Sequence, residues 1–340
     1  MQYKNVVIEG LAFLEAPHHI KSEWLEEQME DTMNRIGIRI GNLEHLTGIR
    51  ERRFWDPGVK PSDVATLAAR KVMEQTNIDP NDLGLLVNTS VCKDYLEPSV
   101  ASLVHGNLGL PAHCQNFDLG NACLGFVNGI DHSALLIENG LIKKALVVDG
   151  ESSREIIENT IERLKKDTCT SKEFRDNFAS LTLGSGSVAM ILSHVDYAKN
   201  AQHRINGSVS LSATQHSRLC YGDTNMMVTD ASTLLVAGIE LAGKTWQLAE
   251  KNFDNWTDDA IDLYIPHQVS MKHSHAFCSS LNLNFDKFHL NVQDFGNMGP
   301  VALPMTLAMA DEANRCIKGE QVALVGIGSG LNCTMMSVTW

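Results

Sequence analysis

Cys123 stands at the head of a run in which Leu124, Val127, Ile130, Ala134 and Ile137 recur every three or four positions. That spacing predicts a helix with one buried stripe, ended by Asn139-Gly140. A thiol at the first turn of a helix feels the positive end of the helix dipole, which favours thiolate. Thiolate is the nucleophile and the leaving group of thioester exchange. Taken alone, the residue leaves open the plainer reading of a small buried hydrophobe.

His267 ends a short apolar strand in IPHQVS (265–270), where active sites of α/β proteins gather. A single histidine there is otherwise a hydrogen-bonded core or surface residue. His273 and His275 follow. Two residues apart on a helix they diverge by roughly 200°, which argues against a shared metal ion, and no carboxylate or thiol stands at ligand spacing. Asn297 lies in GNMGP (296–300), a tight turn by its glycines, with Pro300 suited to a helix's first turn. GIGSGLN (326–332) is glycine-rich, but only eight residues (340 − 332) follow it. A dinucleotide fold needs a further helix and strand, so a loop presenting a backbone N–H to an oxyanion is the better reading.

Alternating helix and strand patterns must position these residues, an α/β architecture. Residues 83–89, 144–150 and 321–326 are short apolar runs of the buried-strand type. FDLGNACLGF (117–126), a helix and IENGLIKKALVVDG (137–150) are echoed by VQDFGNMGPV (292–301), a helix and IKGEQVALVGIG (317–328). Helix–Asp–strand units at 71–90 and 246–268 precede the two copies. Duplicated units place corresponding turns near each other across a pseudo-two-fold axis. Residues 151–180, rich in Glu, Lys, Arg and Asn, read as an insertion of polar surface helices that could serve a dimer contact or a lid.

Of the 340 residues, 44% are hydrophobic and 20% charged, values of a compact globular chain. No apolar run approaches the roughly 18 residues of a membrane span, and MQYKNVVIEGLAF reads as a first strand, with no signal-peptide cleavage site. A formal charge of −13 argues against nucleic acid as a partner. The eight cysteines (92, 114, 123, 169, 220, 278, 316, 333) are scattered, with no C-x-x-C. Reduced thiols in the cytoplasm are expected.

Six motifs in order, TGIRERR (47–53), GNACLGF (120–126), LTLGSGSVAMIL (181–192), PHQVS (266–270), GNMGP and GIGSGLN, resemble the thiolase superfamily on its ketoacyl-ACP synthase III branch, over essentially the full length. The resemblance implies a thiolase fold, five-layered α-β-α-β-α from two duplicated halves, residues 1–200 and 201–340, in a homodimer. It implies that Cys123 carries the acyl group and that His267 and Asn297 bind the thioester oxygen of the second substrate. The backbone N–H groups of Cys123 and Ser329 would form the other oxyanion hole. No cofactor is implied beyond coenzyme A thioesters as substrates.

Within the branch the chain is most similar to the enzymes that join two fatty acyl-CoAs head to head. Glu97, in KDYLEPSVAS (93–102), stands twenty-six residues before the nucleophile (123 − 97), as in that group. Two unactivated acyl-CoAs lose no carbon dioxide, so a base must take an α-proton, and a carboxylate in an apolar pocket suits the task. Glu97 as a plain surface residue before Pro98 is the alternative. The second functional reading is 3-oxoacyl-ACP synthase III, decarboxylative condensation of acyl-CoA with malonyl-ACP in fatty-acid synthesis. The third is a catalytically silent partner subunit. Places held in the branch by a Trp and an Arg that clamp the CoA adenine are Asn42 and Leu46 here. Arg50, Arg52, Arg53 and Lys272 are the cations available to a polyphosphate.

Cys123→Ser is expected to abolish attachment of labelled acyl groups while the protein stays folded, since serine keeps the volume and lacks the thiolate. Persistent labelling, read by mass spectrometry, would place the nucleophile at another cysteine.

Overall fold

The computed structural model describes residues 1–199, 203–223 and 226–340. Its backbone is organised by strands whose two faces are both apolar. In the strand Lys144–Glu151, Ala145 and Val147 face one core cluster and Leu146 and Val148 another. Burial on both sides is what sheets covered by helices on each face require.

Nine strands form one mixed sheet. Across it they run Leu263–Pro266, Gln321–Gly328, Asn332–Thr339, His203–Ser212, Val6–Glu15, Gly186–His194, Lys144–Glu151, Leu83–Asn88 and Gln115–Asp118. Outward from the centre the two sides repeat one pattern. Val6–Glu15 is followed by two antiparallel pairings and then two parallel ones. His203–Ser212 is followed by two antiparallel pairings and one parallel, with a parallel bridge from Tyr264 to Phe288 where the last strand would lie. Among the described residues the two sides pair at Val7 with Arg204 and Ile8 with His203, and a bridge joins Gln2 to Gly207. The expected boundary near residue 200 falls on residues 200–202, outside the described residues.

Around this joint the halves fold into five layers. Gly125–Glu138 and Ala302–Glu312 lie in the middle, where Ile130, Ala134, Leu303 and Leu307 are enclosed by strand residues of both halves. Pro61–Thr76 and Val100–Leu108 cover the outside of the first half. Ala231–Asn252 and Met271–Ser280 cover the second. Apolar burial of this extent, at about 25 cal/mol per Å², is the main stabilising term.

The polar stretch 151–180 holds the helices Arg154–Leu164 and Ser171–Asn177. It is more than a surface appendage: Ile157, Ile161, Leu164 and Phe174 pack with Leu25, Met29, Met33 and Leu43 into a separate small core.

One close approach matters for the site. A methyl group built on Gly184 would lie 1.9 Å from the carbonyl oxygen of Phe295, so the two main chains touch without a side chain between them. Gly184→Ala is therefore expected to lower stability by about 1–3 kcal/mol through overpacking. Urea denaturation checks this, and an unchanged midpoint would show that the contact relaxes freely.

Candidate active site

Cys123 sits in the turn between Gln115–Asp118 and Gly125–Glu138. Ala122 holds a left-handed backbone, φ 47°, uncommon for a residue with a Cβ. Such strain gathers where a side chain must be aimed. The turn is closed by Leu124 N donating to Asn121 O (3.0 Å) and Gly125 N to Ala122 O (3.0 Å). Cys123 thus precedes the helix instead of lying in its first turn, and its helix cap is Leu124.

The glycine-rich loop 326–332 lies against this turn. A methyl on Gly328 would meet Leu124 N at 3.1 Å and Asn121 O at 3.2 Å, a fit that would push the two turns apart by a few tenths of an ångström. Asn332 Nδ2 donates to Asn121 Oδ1 (3.0 Å), and Asn121 Nδ2 donates to Asn128 Oδ1 (2.6 Å). Cys123 and Ser329 consequently line one cavity.

His267 and Asn297 line it too. His267 follows Leu263–Pro266, and its N–H donates to Val325 O (2.8 Å). Burial first, then neighbouring His273, holds its imidazole down to about 4. It is neutral at pH 7, able to donate one ring N–H. Asn297 is held by LTLGSGS: its N–H donates to Thr182 O (2.8 Å), and its carbonyl accepts from Gly184 N (2.9 Å). Its side-chain Oδ1 accepts from Gly299 N (3.0 Å), which leaves the amide NH₂ for donation.

The cavity measures about 1050 Å³, beyond the range of roughly 300–1,000 Å³ usual for small-molecule sites. Met227, Leu234, Leu235, Ile239, Ile327 and Leu331 supply an apolar wall, as an alkyl chain requires. Cys92, Cys220 and Cys333 also reach it. Among the described residues no His, Cys, Asp or Glu cluster is placed to hold a metal ion.

The thiol expected to be poised as thiolate is instead protonated at rest. Enclosure, then Cys220 and the buried Glu151, pushes Cys123 up to about 12. The dipole argument fails because the residue stands outside the first turn, in a wall already holding carboxylates. Asp149 and Glu151, at the end of Lys144–Glu151, form a buried pair that sequence reading missed. Burial and the neighbouring Glu151 push Asp149 far above the usual carboxylate range, and burial raises Glu151 to about 7. Two acidic residues closing an otherwise apolar strand at its C-terminal end were the available signal.

Glu97 is exposed and does not line the cavity of its own chain. It follows Tyr95 and Leu96, the latter 99% exposed. None of the four expected polyphosphate cations lines the cavity either. Arg52 is fully buried, held to about 10 by burial, and donates to Ile20 O, Ser22 Oγ (2.9 Å) and Leu181 O (2.9 Å). Arg53 is buried over the Phe295 ring at 4.8 Å, and Arg50 forks onto Asp294 at 2.6 and 2.9 Å. These arginines brace the segment leading into the Asn297 turn, and the buried Arg52 and Arg53 are committed to packing there. Lys272 is exposed on Met271–Ser280.

Residues 117–210 match the family described as 3-oxoacyl-[acyl-carrier-protein] synthase III, and residues 252–340 match its C-terminal part. The chain is 44% identical over 340 residues to an acyl-CoA:acyl-CoA alkyltransferase of Xanthomonas campestris, covering 100% of both chains. It is 39% identical to a second such alkyltransferase, from Shewanella oneidensis, again over 100% of both. A beta-ketoacyl-[acyl-carrier-protein] synthase III of Campylobacter jejuni is 28% identical over 92% of this chain and 91% of its own. Cerulenin-bound OleA of Xanthomonas campestris superposes with a TM-score of 0.97 at 44% identity, over 100% of this chain and 98% of that one. Further structures of that protein carry replacements at a cysteine, a histidine and a glutamate. Its varied glutamate and cysteine lie twenty-six positions apart, the separation of Glu97 and Cys123 here.

The resting thiol gives a measurable consequence. Alkylation of Cys123 by iodoacetamide, followed by peptide mass spectrometry, is expected to quicken about tenfold per pH unit from pH 6 to 9, because only the thiolate reacts. A plateau below pH 8 would reveal a preformed thiolate.

Proposed function

Since the chain belongs to the 3-oxoacyl-ACP synthase III family of thiolase-fold enzymes, we propose that it carries out non-decarboxylative Claisen condensation of two long-chain fatty acyl-CoAs to a 2-alkyl-3-oxoacyl product. The observation that carries this reading is one roomy, largely apolar cavity onto which Cys123, His267, Asn297 and Ser329 all open. Identity of 44% over the whole length to an acyl-CoA:acyl-CoA alkyltransferase, against 28% to a ketoacyl synthase, favours a second acyl-CoA over malonyl-ACP.

Cys123 sulfur attacks the first thioester, coenzyme A leaves with the thiol proton, and the acyl group remains on Cys123. The second acyl-CoA then binds with its thioester oxygen toward the neutral His267 ring N–H and the Asn297 amide. Loss of an α-proton places negative charge on that oxygen, and these donors stabilise it. The carbanion attacks the Cys123 thioester carbonyl, whose oxyanion is held by the backbone N–H groups of Cys123 and Ser329. Collapse breaks the carbon–sulfur bond and frees the cysteine thiolate. A preorganised donor of this kind contributes roughly 10²–10³ in rate.

Glu97 takes the α-proton in this scheme. Its loop ends in exposed Tyr95 and Leu96, surface that a second copy of the chain would cover, and covering it strips water from Glu97. A homodimer acting in the cytoplasm, with all eight cysteines unpaired, completes the reading. No cofactor is invoked.

Myristoyl-CoA alone is expected to yield free coenzyme A and a condensed product, detected by mass spectrometry, with no requirement for malonyl-ACP. Glu97→Gln should leave Cys123 acylation within about twofold of wild type and lower condensation by orders of magnitude, since an amide accepts no α-proton. Full condensing activity in that variant would remove Glu97 as the base. Strict dependence on malonyl-ACP would replace the head-to-head reaction with the decarboxylating one.

A further inference from the structure

Glu151 ends a central strand with its side chain in the cavity wall, 5% exposed. Its carboxylate accepts the main-chain N–H of Val91 and, at 3.3–3.4 Å, that of Cys92. Cys92 Sγ donates to the neighbouring Ser152 O (3.3 Å). On its other side Glu151 faces the Asn297 turn, where a methyl on Gly299 would stand 3.9 Å from Glu151 Cδ. One side chain therefore bonds the start of the segment carrying Glu97, lies beside the turn carrying Asn297, and lines the cavity of Cys123.

The segment has further ties. Asp94 accepts from Ser62 N (3.0 Å) and Ser62 Oγ (2.5 Å), and Asp118 accepts from Val100 N and Ala101 N. Asp94 and Asp118 fasten it to outer elements. Glu151 fastens it to the catalytic wall. Among the described residues no cation pairs with this carboxylate, and next to a second carboxyl it is poorly placed unless its hydrogen bonds compensate. Here they do so by fixing main chain.

We propose that Glu151 is a positioning residue for the condensation step, holding from the wall beside Cys123 the segment that presents Glu97. The proposal rests on the assignment of Glu97 as the base. Acyl transfer to Cys123 takes no proton from carbon, whereas the condensation step depends on where that segment holds Glu97, and misplacement by about 1 Å can cost 10²-fold.

Three variants and two readouts test it. Glu151→Ala is expected to lower condensation of myristoyl-CoA at least tenfold without lowering Cys123 acylation, since losing a carboxylate that adds to burial in holding the thiol up can only ease its ionisation. Hydrogen exchange at residues 91–96 should quicken in the same protein. Glu151→Gln keeps one accepting oxygen and should restore most of the condensation rate and the slow exchange. If Glu151→Ala does not fold, Glu151→Asp, which keeps the charge but shortens the reach, must show the same split. Normal condensation in Glu151→Ala, or an equal loss of acylation, overturns the proposal. So does a dead Glu151→Gln with slow exchange intact, which would make Glu151 itself a proton acceptor. Glu97→Gln, measured alongside, keeps the failures apart. If it condenses normally the base assignment falls; if it is inactive while Glu151→Ala is active, only the positioning role falls.

Discussion

At Gly184 main chain packs on main chain with no space for a methyl group, at Gly328 with little, and the site depends on these two contacts. Gly184 lets LTLGSGS hold the Asn297 turn by two backbone hydrogen bonds. Gly328 lets the last glycine loop press against the Cys123 turn, where Asn332 and Asn121 lock it. A thiol from the first half and donors from the second are thereby brought onto one cavity. The buried middle helices make the arrangement rigid, because close-packed interiors resist small displacements.

Enclosure sets the chemistry as well as the geometry. The wall keeps the Cys123 thiol and the His267 ring both uncharged at neutral pH. An apolar chain can therefore approach Cys123 without first neutralising a thiolate–imidazolium pair. In the proposed reaction charge develops only as the step proceeds, at oxygens facing fixed donors, the circumstance in which a low dielectric strengthens each hydrogen bond. The buried Asp149–Glu151 pair belongs to the same wall and shows that carboxyl groups there are held close to protonation.

The arginine run 50–53 illustrates how packing reassigns residues that look alike in sequence. Arg50 remains at the surface on Asp294, whereas Arg52 and Arg53 turn inward and satisfy carbonyls and an aromatic face. All of them steady the approach to the Asn297 turn, and none reaches the cavity. The polar stretch 151–180 likewise presents charge in its sequence and buries isoleucines, a leucine and a phenylalanine in its fold.

Much was determined by the sequence alone. Two-faced apolar runs specified buried strands, the three-to-four periodicity after Cys123 specified the helix Gly125–Glu138 with Asn139-Gly140 at its end, and the repeated strand–turn–helix pattern foretold the repeated strand order. Cys123, His267 and Asn297 were legible as candidates because each sits in a short local motif, and all three open onto one cavity. The protonation of Cys123, the inward turn of Arg52 and Arg53, the carboxyl pair on the cavity wall and the exposure of Glu97 were decided only by the tertiary structure. Desolvation, charge proximity and solvent contact depend on neighbours brought from distant parts of the chain, and no local spacing encodes them.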